Sequence, residues 1–216
     1  MLLEEQRRKV VSMAQQLASC GLVTATWGNV SARDPETNMV VITPSGMCYD
    51  TLEPADICVV DLSGRLVEGR YQPSSETPLH TLVYCSRQDV QGIVHTHSIF
   101  ATVMAVLKRE IPPVIAELAL GVGGSVPVAD FAPPGTRKLG QNALAALGKG
   151  NAVLLQNHGV LAVGPSLERA FTIAAIVEDA AKIYFLSSLL GTPTLVPQEQ
   201  LADLFRSFQD YGQRKD

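Results

Sequence analysis

Three of the four histidines in this chain fall in two short patches. His95 and His97 stand in Gly92-Ile93-Val94-His95-Thr96-His97-Ser98, and His158 stands in Leu154-Leu155-Gln156-Asn157-His158-Gly159-Val160. The apolar run before His95 reads as a strand. Side chains two apart on a strand point to one face, so His95 and His97 can share a metal ion. A second apolar run, Ala152-Val153-Leu154-Leu155, leads to His158, which can close the site from a neighbouring strand. Three neutral imidazoles with an open fourth position suit zinc or a similar divalent ion. The alternative reading of the same spacing is a polar pair at a strand end that binds no metal.

Three polar loops have the composition of an anion site. They are Thr24-Ala25-Thr26-Trp27-Gly28-Asn29-Val30-Ser31, Thr43-Pro44-Ser45-Gly46 and Pro73-Ser74-Ser75-Glu76-Thr77-Pro78. Small residues let backbone N–H groups approach an anion, and Ser, Thr and Asn side chains add donors. Ser74 and Ser75 also stand where a helix N-terminus would present its positive dipole end. Each loop alone reads equally as an ordinary turn or N-cap. With neither a Walker P-loop nor a Gly-x-Gly-x-x-Gly motif, a nucleotide cofactor is not indicated. Glu76 has three open readings: a first-turn residue favoured by the helix dipole, a fourth metal ligand, or a general base. His80, four residues on, shares a helical face with Glu76. A lone helix histidine is more often structural, and His80 is placed outside the site.

The elements that must hold these residues can be traced along the chain. Val10, Val11, Met13, Ala14, Leu17 and Ala18 recur at helical spacing within residues 4–20, and Gly21 is a natural stop. Further helices are expected at 77–87, 98–108, 136–147 and 166–190. Strands are expected at Met39–Thr43, Ile57–Leu62, 92–96, 152–156 and 160–163, with a hairpin-type turn at Ser63-Gly64. Only Asn157-His158-Gly159 separates the last two strands, which predicts an antiparallel hairpin and makes a wholly parallel sheet improbable. The pattern predicts an α/β fold. It is a single three-layer α/β/α domain with a central mixed, largely antiparallel sheet. Gly191–Pro197 is the expected joint to a last short helix ending near Tyr211.

Composition narrows the function classes. At 216 residues the chain suits one sizeable domain, and its 46% hydrophobic and 18% charged content fits a compact core rather than disorder. A formal net charge of −4 without a basic run argues against nucleic acid as a partner. Leu2-Leu3 gives way at once to Glu4-Glu5, unlike a signal peptide, and no apolar segment approaches the ~20 residues that span a bilayer. Cys20, Cys48, Cys58 and Cys85 are scattered, which reads as structural thiols in a reducing cytosol. The expectation is a cytoplasmic protein without a membrane partner.

Taken in order, T-W-G-N-V-S, I-T-P-S-G, P-S-S-E, H-T-H and Q-N-H-G-V resemble the class II aldolase/adducin family, most closely its L-fuculose-1-phosphate aldolase branch. The resemblance runs from the first helix to F-Q-D-Y-G near the end. It implies that His95, His97 and His158 bind a divalent metal, normally Zn2+ (or another such as Mn2+ or Co2+), with Glu76 as fourth ligand. It further implies that Asn29, Ser45, Gly46, Ser74 and Ser75 surround the substrate phosphate, with Thr26 and Gly28 nearby. The whole chain, 1–216, would be one such domain in a homotetramer. The tail from about 192 would lie near a neighbouring subunit's site, with Tyr211 reaching into it. The implied activity is metal-dependent cleavage of a ketose 1-phosphate, such as L-fuculose 1-phosphate or a related deoxy-pentulose 1-phosphate. Its products are dihydroxyacetone phosphate and an aldehyde, with Glu76 as acid/base. No lysine lies in any of these motifs, so a Schiff base is not implied.

One segment departs from the pattern. Fuculose-specific members carry a tyrosine acid after an Ile-Pro pair. Here the segment reads Ile111-Pro112-Pro113-Val114-Ile115-Ala116-Glu117, with Ala116 in the tyrosine's place. Glu117 is then either a replacement proton donor or a plain surface charge. This leaves the aldehyde open, and it keeps a sugar-phosphate dehydratase in view. An L-ribulose-5-phosphate 4-epimerase-like reaction is a further alternative, though those enzymes tend to carry aspartate where Glu76 stands. A non-catalytic adducin-like domain is the remaining one, and retention of the three histidines and Glu76 argues against it.

Overall fold

The computed structural model describes residues 1–209. Helix α1 is Glu4–Ser19, and strands β1 to β4 are Asn29–Arg33, Val40–Ile42, Cys58–Val60 and Leu66–Glu68. There follow α2 (Thr77–Ser86), β5 (Gly92–Thr96), α3 (Ile99–Val106), α4 (Ala116–Val122) and β6 (Val128–Ala129). The series closes with α5 (Arg137–Leu147), β7 (Ala152–Leu155), β8 (Gly159–Gly164), α6 (Leu167–Leu190) and α7 (Gln198–Gln209). The strands form one eight-stranded sheet in the order β4-β3-β2-β1-β5-β8-β7-β6. Only β6 against β7 is parallel; the other pairings are antiparallel.

Both faces of the sheet are buried. Val30, Val41, Val59, Val94, Leu154, Val160 and Ala162 pack with residues of α1, α3, α4 and α6. Val40, Ile42, Val60, Ile93, Leu155, Leu161 and Val163 pack with α2 and α5 on the other side. Alternate residues of β2, β3, β5, β7 and β8 thus serve opposite cores, while edge strand β4 is exposed. This double burial explains why β5, β7 and β8 read as unbroken apolar runs rather than alternating ones. The expected α/β fold with helices on both sides of a largely antiparallel sheet is the one found.

The expected elements differ in detail. The polar stretch 24–31 is a loop only as far as Gly28, after which Asn29–Arg33 forms β1 between β2 and β5. Its polar side chains are buried rather than solvated. The Ser31 hydroxyl shares a hydrogen bond of 2.7 Å with His80 Nδ1 and one of 2.8 Å with the Tyr84 hydroxyl, while Arg33 donates to the Tyr84 carbonyl at 3.0 Å. These bonds fasten α2 to β1 and place His80 in the core, as a structural histidine. Burial lowers its pKa to about 3, so the ring is neutral. Strands β4 and β6 and helix α4 lie outside the expected elements. The last helix is described as far as Gln209, and Tyr211 lies outside the described residues.

The β7–β8 hairpin forms as expected, with Leu155 opposite Gly159. Asn157 takes the left-handed conformation, φ +55°, and the His158 N–H donates to the Leu155 carbonyl at 3.0 Å. Asparagine tolerates this region better than other non-glycine residues. At Gly159 an added Cβ would stand 2.2 Å from the Thr96 carbonyl oxygen and 3.2 Å from His97 Cδ2. Gly159→Ala is therefore expected to destabilise the fold by about 1–3 kcal/mol, lowering Tm by several degrees in thermal unfolding followed by circular dichroism.

Candidate metal centre

The end of β5 and the β7–β8 hairpin bring the three histidines together. His95 pairs with Leu161 and Thr96 with Val160 across the β5–β8 ladder, so His158, just before β8, arrives beside the end of β5. His95 shares the α2 face with Ile93, two residues earlier. Each pair of imidazole centroids is 4.8 Å apart. One ring nitrogen from each histidine lies within 4.8 Å of the others, and the His95 and His97 Nε2 atoms are 2.9 Å apart. Glu76 enters from the N-cap of α2, only 4% exposed. Its Oε2 lies 3.2 Å from His95 Nε2 and its Oε1 3.8 Å from His158 Nε2.

Proton placement decides what these contacts are. Burial pushes the His95 pKa down to about 3 and that of His158 to about 4, and it lowers that of His97. All three rings are therefore neutral near pH 7, and the approaches to Glu76 are not ion pairs. His95 Nδ1 is 2.8 Å from the Val160 carbonyl oxygen, which can only accept. The Nδ1 position thus carries the proton, and Nε2 turns a lone pair to the centre, the arrangement metal-ligating histidines use. Glu76 Oε1 accepts from the Gly135 N–H at 3.3 Å, while its buried Oε2 has no donor among the described residues. Neutral nitrogen lone pairs beside a carboxylate oxygen without a donor form a set that a divalent cation satisfies.

The same cleft, about 290 Å³, gathers the loop residues expected around an anion: Thr26, Gly28, Asn29, Ser45, Gly46, Ser74 and Ser75. The Ser45 N–H donates to the Gln72 carbonyl and the Ser74 N–H to the Thr43 carbonyl, tying two of the loops together. The Ser74 hydroxyl accepts from the Glu76 N–H at 3.2 Å, so its own proton can point outward. Gly28 has φ +114°, and a Cβ there would stand 2.9 Å from the His95 carbonyl oxygen. That position requires glycine for both conformation and space.

Trp27, Pro44 and Pro134 also line the cleft; the first two stand in the expected loops without being singled out, and Pro134 lies outside them. Trp27 is 61% exposed, with its ring 6.2 Å from that of His97. The available signal was a lone tryptophan inside a polar glycine-containing loop. Glu117 is exposed in the first turn of α4 and is not among the residues lining the cleft of a single chain. His80 is likewise outside that lining.

Residues 8–185 match the model of the class II aldolase and adducin N-terminal domain. A 5-deoxy-D-ribulose 1-phosphate aldolase of Bacillus thuringiensis serovar kurstaki is 36% identical, covering 99% of this chain and 100% of the relative. An L-fuculose phosphate aldolase of Escherichia coli K12 is 34% identical, covering 96% of this chain and 95% of its own. Among solved structures, an L-fuculose 1-phosphate aldolase superposes with a TM-score of 0.93 at 36% identity, covering 97% of this chain and 98% of that one.

Among the described residues the one polar contact of the His97 ring is with His95 Nε2, inside the cluster itself, so His97→Ala is expected to retain the native circular dichroism spectrum. Bound divalent metal, measured by elemental analysis after gel filtration, is expected to fall to background. Wild-type metal content in the variant would refute the assignment.

Proposed function

The chain belongs to the class II aldolase and adducin family, and from that premise we propose that it is a metal-dependent aldehyde-lyase. Its substrate is a ketose 1-phosphate, either L-fuculose 1-phosphate or a related deoxy-pentulose 1-phosphate, cleaved to dihydroxyacetone phosphate and an aldehyde. The observation that carries this reading is the meeting, in one cleft, of three neutral imidazoles and a buried carboxylate with three donor-rich loops.

His95, His97, His158 and Glu76 are the proposed ligands. The nitrogen-rich donor set favours Zn2+, with Mn2+ or Co2+ as substitutes. When bound there, a divalent cation supplies Lewis acidity, stabilising the negative charge left on the substrate as its C3–C4 bond breaks. Asn29, Ser45, Gly46, Ser74 and Ser75 hold the phosphate through hydroxyl, amide and backbone donors, with Thr26 and Gly28 shaping the adjoining wall. These local donors outweigh a net charge of −4 at contact distance.

Cleavage removes a proton from the C4 hydroxyl and returns one to C3. Glu76 serves the C3 end as acid/base, since its Oε2 is aimed into the centre without a competing donor. Glu117 and Tyr211 are the proposed groups at the C4 end. Glu117 is exposed and outside the cleft of its own chain, so this role would require the proposed homotetramer to bring it to a neighbouring subunit's cleft. A cytoplasmic location belongs to the same reading; among the described residues no helix is long and apolar enough to cross a membrane.

A substrate screen on the metal-loaded protein tests the reading. Release of dihydroxyacetone phosphate is expected from at least one ketose 1-phosphate, and L-ribulose 5-phosphate is expected not to epimerise. Failure to cleave any 1-phosphate would sink it. Within that reaction, Ser75→Ala is expected to raise KM roughly tenfold or more with a smaller change in kcat, the loss of one charge-assisted hydrogen bond of about 1.5–3 kcal/mol.

A further inference from the structure

We infer that Glu178, in the middle of α6, is a positioning residue that holds His97 in place through the N-terminus of α3. Its two carboxylate oxygens accept one hydrogen bond each, from the Phe100 N–H and the Ala101 N–H, both at 2.9 Å. These amides belong to the first turn of α3, which starts two residues after His97. The first N–H groups of a helix have no intrahelical partner and must find one elsewhere. Ser98, at the N-cap, makes no side-chain cap bond, and the first turn of α3 contains no acidic residue. A carboxylate from 78 residues away takes over both tasks: it accepts the orphan N–H groups and sets negative charge against the positive end of the helix dipole.

The consequence for His97 follows from what the ring lacks. His95 is oriented by the Val160 carbonyl, through its own Nδ1. Among the described residues, the one polar contact of the His97 ring is the 2.9 Å approach of its Nε2 to the His95 Nε2 inside the cluster. No carbonyl or carboxylate orients it from behind. Its place therefore depends on its backbone, which is fixed on one side by the Thr96–Val160 pairing and on the other by the start of α3. Glu178 supplies the second fixed point. The surrounding packing explains the precision of the grip: Lys182, one turn beyond Glu178 on α6, lies 5.7 Å from the centre of the Phe100 ring, and Phe185 packs on Phe100 at 5.8 Å.

This inference rests on the reading of the histidine cluster as a metal centre. The test therefore measures zinc binding to the metal-free full chain by competition with a chromogenic chelator, and Tm of the metal-free protein alongside. Glu178→Ala is expected to weaken zinc binding by about 10- to 100-fold, the loss typical when a ligand's outer support is removed. Glu178→Gln retains one acceptor oxygen and is expected to fall between the alanine variant and wild type. Phe185→Ala loosens α3 against α6 without touching the cap, and it is expected to lower Tm while keeping zinc affinity within about twofold. Zinc affinity within twofold of wild type in both Glu178 variants would overturn the inference. So would an equal loss in Phe185→Ala, which would mark Glu178 as one packing contact among several. If Glu178→Ala does not fold, wild-type affinity in Glu178→Gln overturns it alone. Failure of the wild-type chain to bind zinc would instead strike the metal reading itself.

Discussion

Because Gly159 carries no side chain, the first residue of β8 can lie against the Thr96 carbonyl oxygen, where a Cβ would approach to 2.2 Å. That contact sets how near the β7–β8 hairpin comes to the end of β5, and the rest of the centre follows from it. With Thr96 opposite Val160, the Val160 carbonyl meets His95 Nδ1 and fixes the tautomer that turns Nε2 to the centre. The same register delivers His158 from the preceding turn, with Asn157 taking the strained conformation that the tight hairpin needs. A larger residue at 159 would push the hairpin away and separate His158 from the pair. The geometry of three imidazoles thus depends on a backbone contact in which none of their side chains takes part.

The centre is expensive for the fold. Three neutral rings and a carboxylate with one unsatisfied oxygen are gathered where apolar side chains would pack without polar desolvation. The compensation is local. Gly135 donates to one Glu76 oxygen, Ser31 bonds both His80 and Tyr84 and so fastens α2 to the sheet, and Glu178 caps α3. Each of these bonds fixes an element that ends at the cleft. Stability is therefore invested in the borders of the site, while its centre stays polar and under-satisfied, the usual state of a functional site in an otherwise consistent fold.

The site was easier to read in the sequence than parts of the fold that carry it. His95, His97 and His158 announce themselves because histidine is scarce and strand spacing maps directly onto one face. The strands β5, β7 and β8 are similarly plain, since burial on both faces makes them unbroken apolar runs. Strand β1 was hidden because Asn29, Ser31 and Arg33 look like solvent-facing loop residues. The burial of Ser31 and Arg33 becomes intelligible only once α2 supplies His80, Tyr84 and the Tyr84 carbonyl that they bond. Glu178 was hidden for the opposite reason. A glutamate in a long amphipathic helix looks ordinary, and its partners are backbone amides, which no side-chain motif reports.

The two ends of the proposed substrate meet very different surroundings. The proposed phosphate loops and the histidine cluster are assembled within one chain by the sheet and by hydrogen bonds between loops, such as Ser45 to Gln72 and Ser74 to Thr43. Those contacts would persist whatever the aldehyde. The cleft wall at Trp27 is less enclosed, since that ring stands largely exposed, and Glu117, outside the cleft of a single chain, faces solvent on α4. A rigid half-site that holds the phosphorylated end and the ligands constrains only that half of the substrate. Discrimination between aldehydes must then come from residues outside the loops and strands that build the centre. In the proposed reading, Ala116 and Glu117, which start α4 and lie outside the cleft of a single chain, would bear on the aldehyde end and leave the histidines, Glu76 and the proposed phosphate loops as they are.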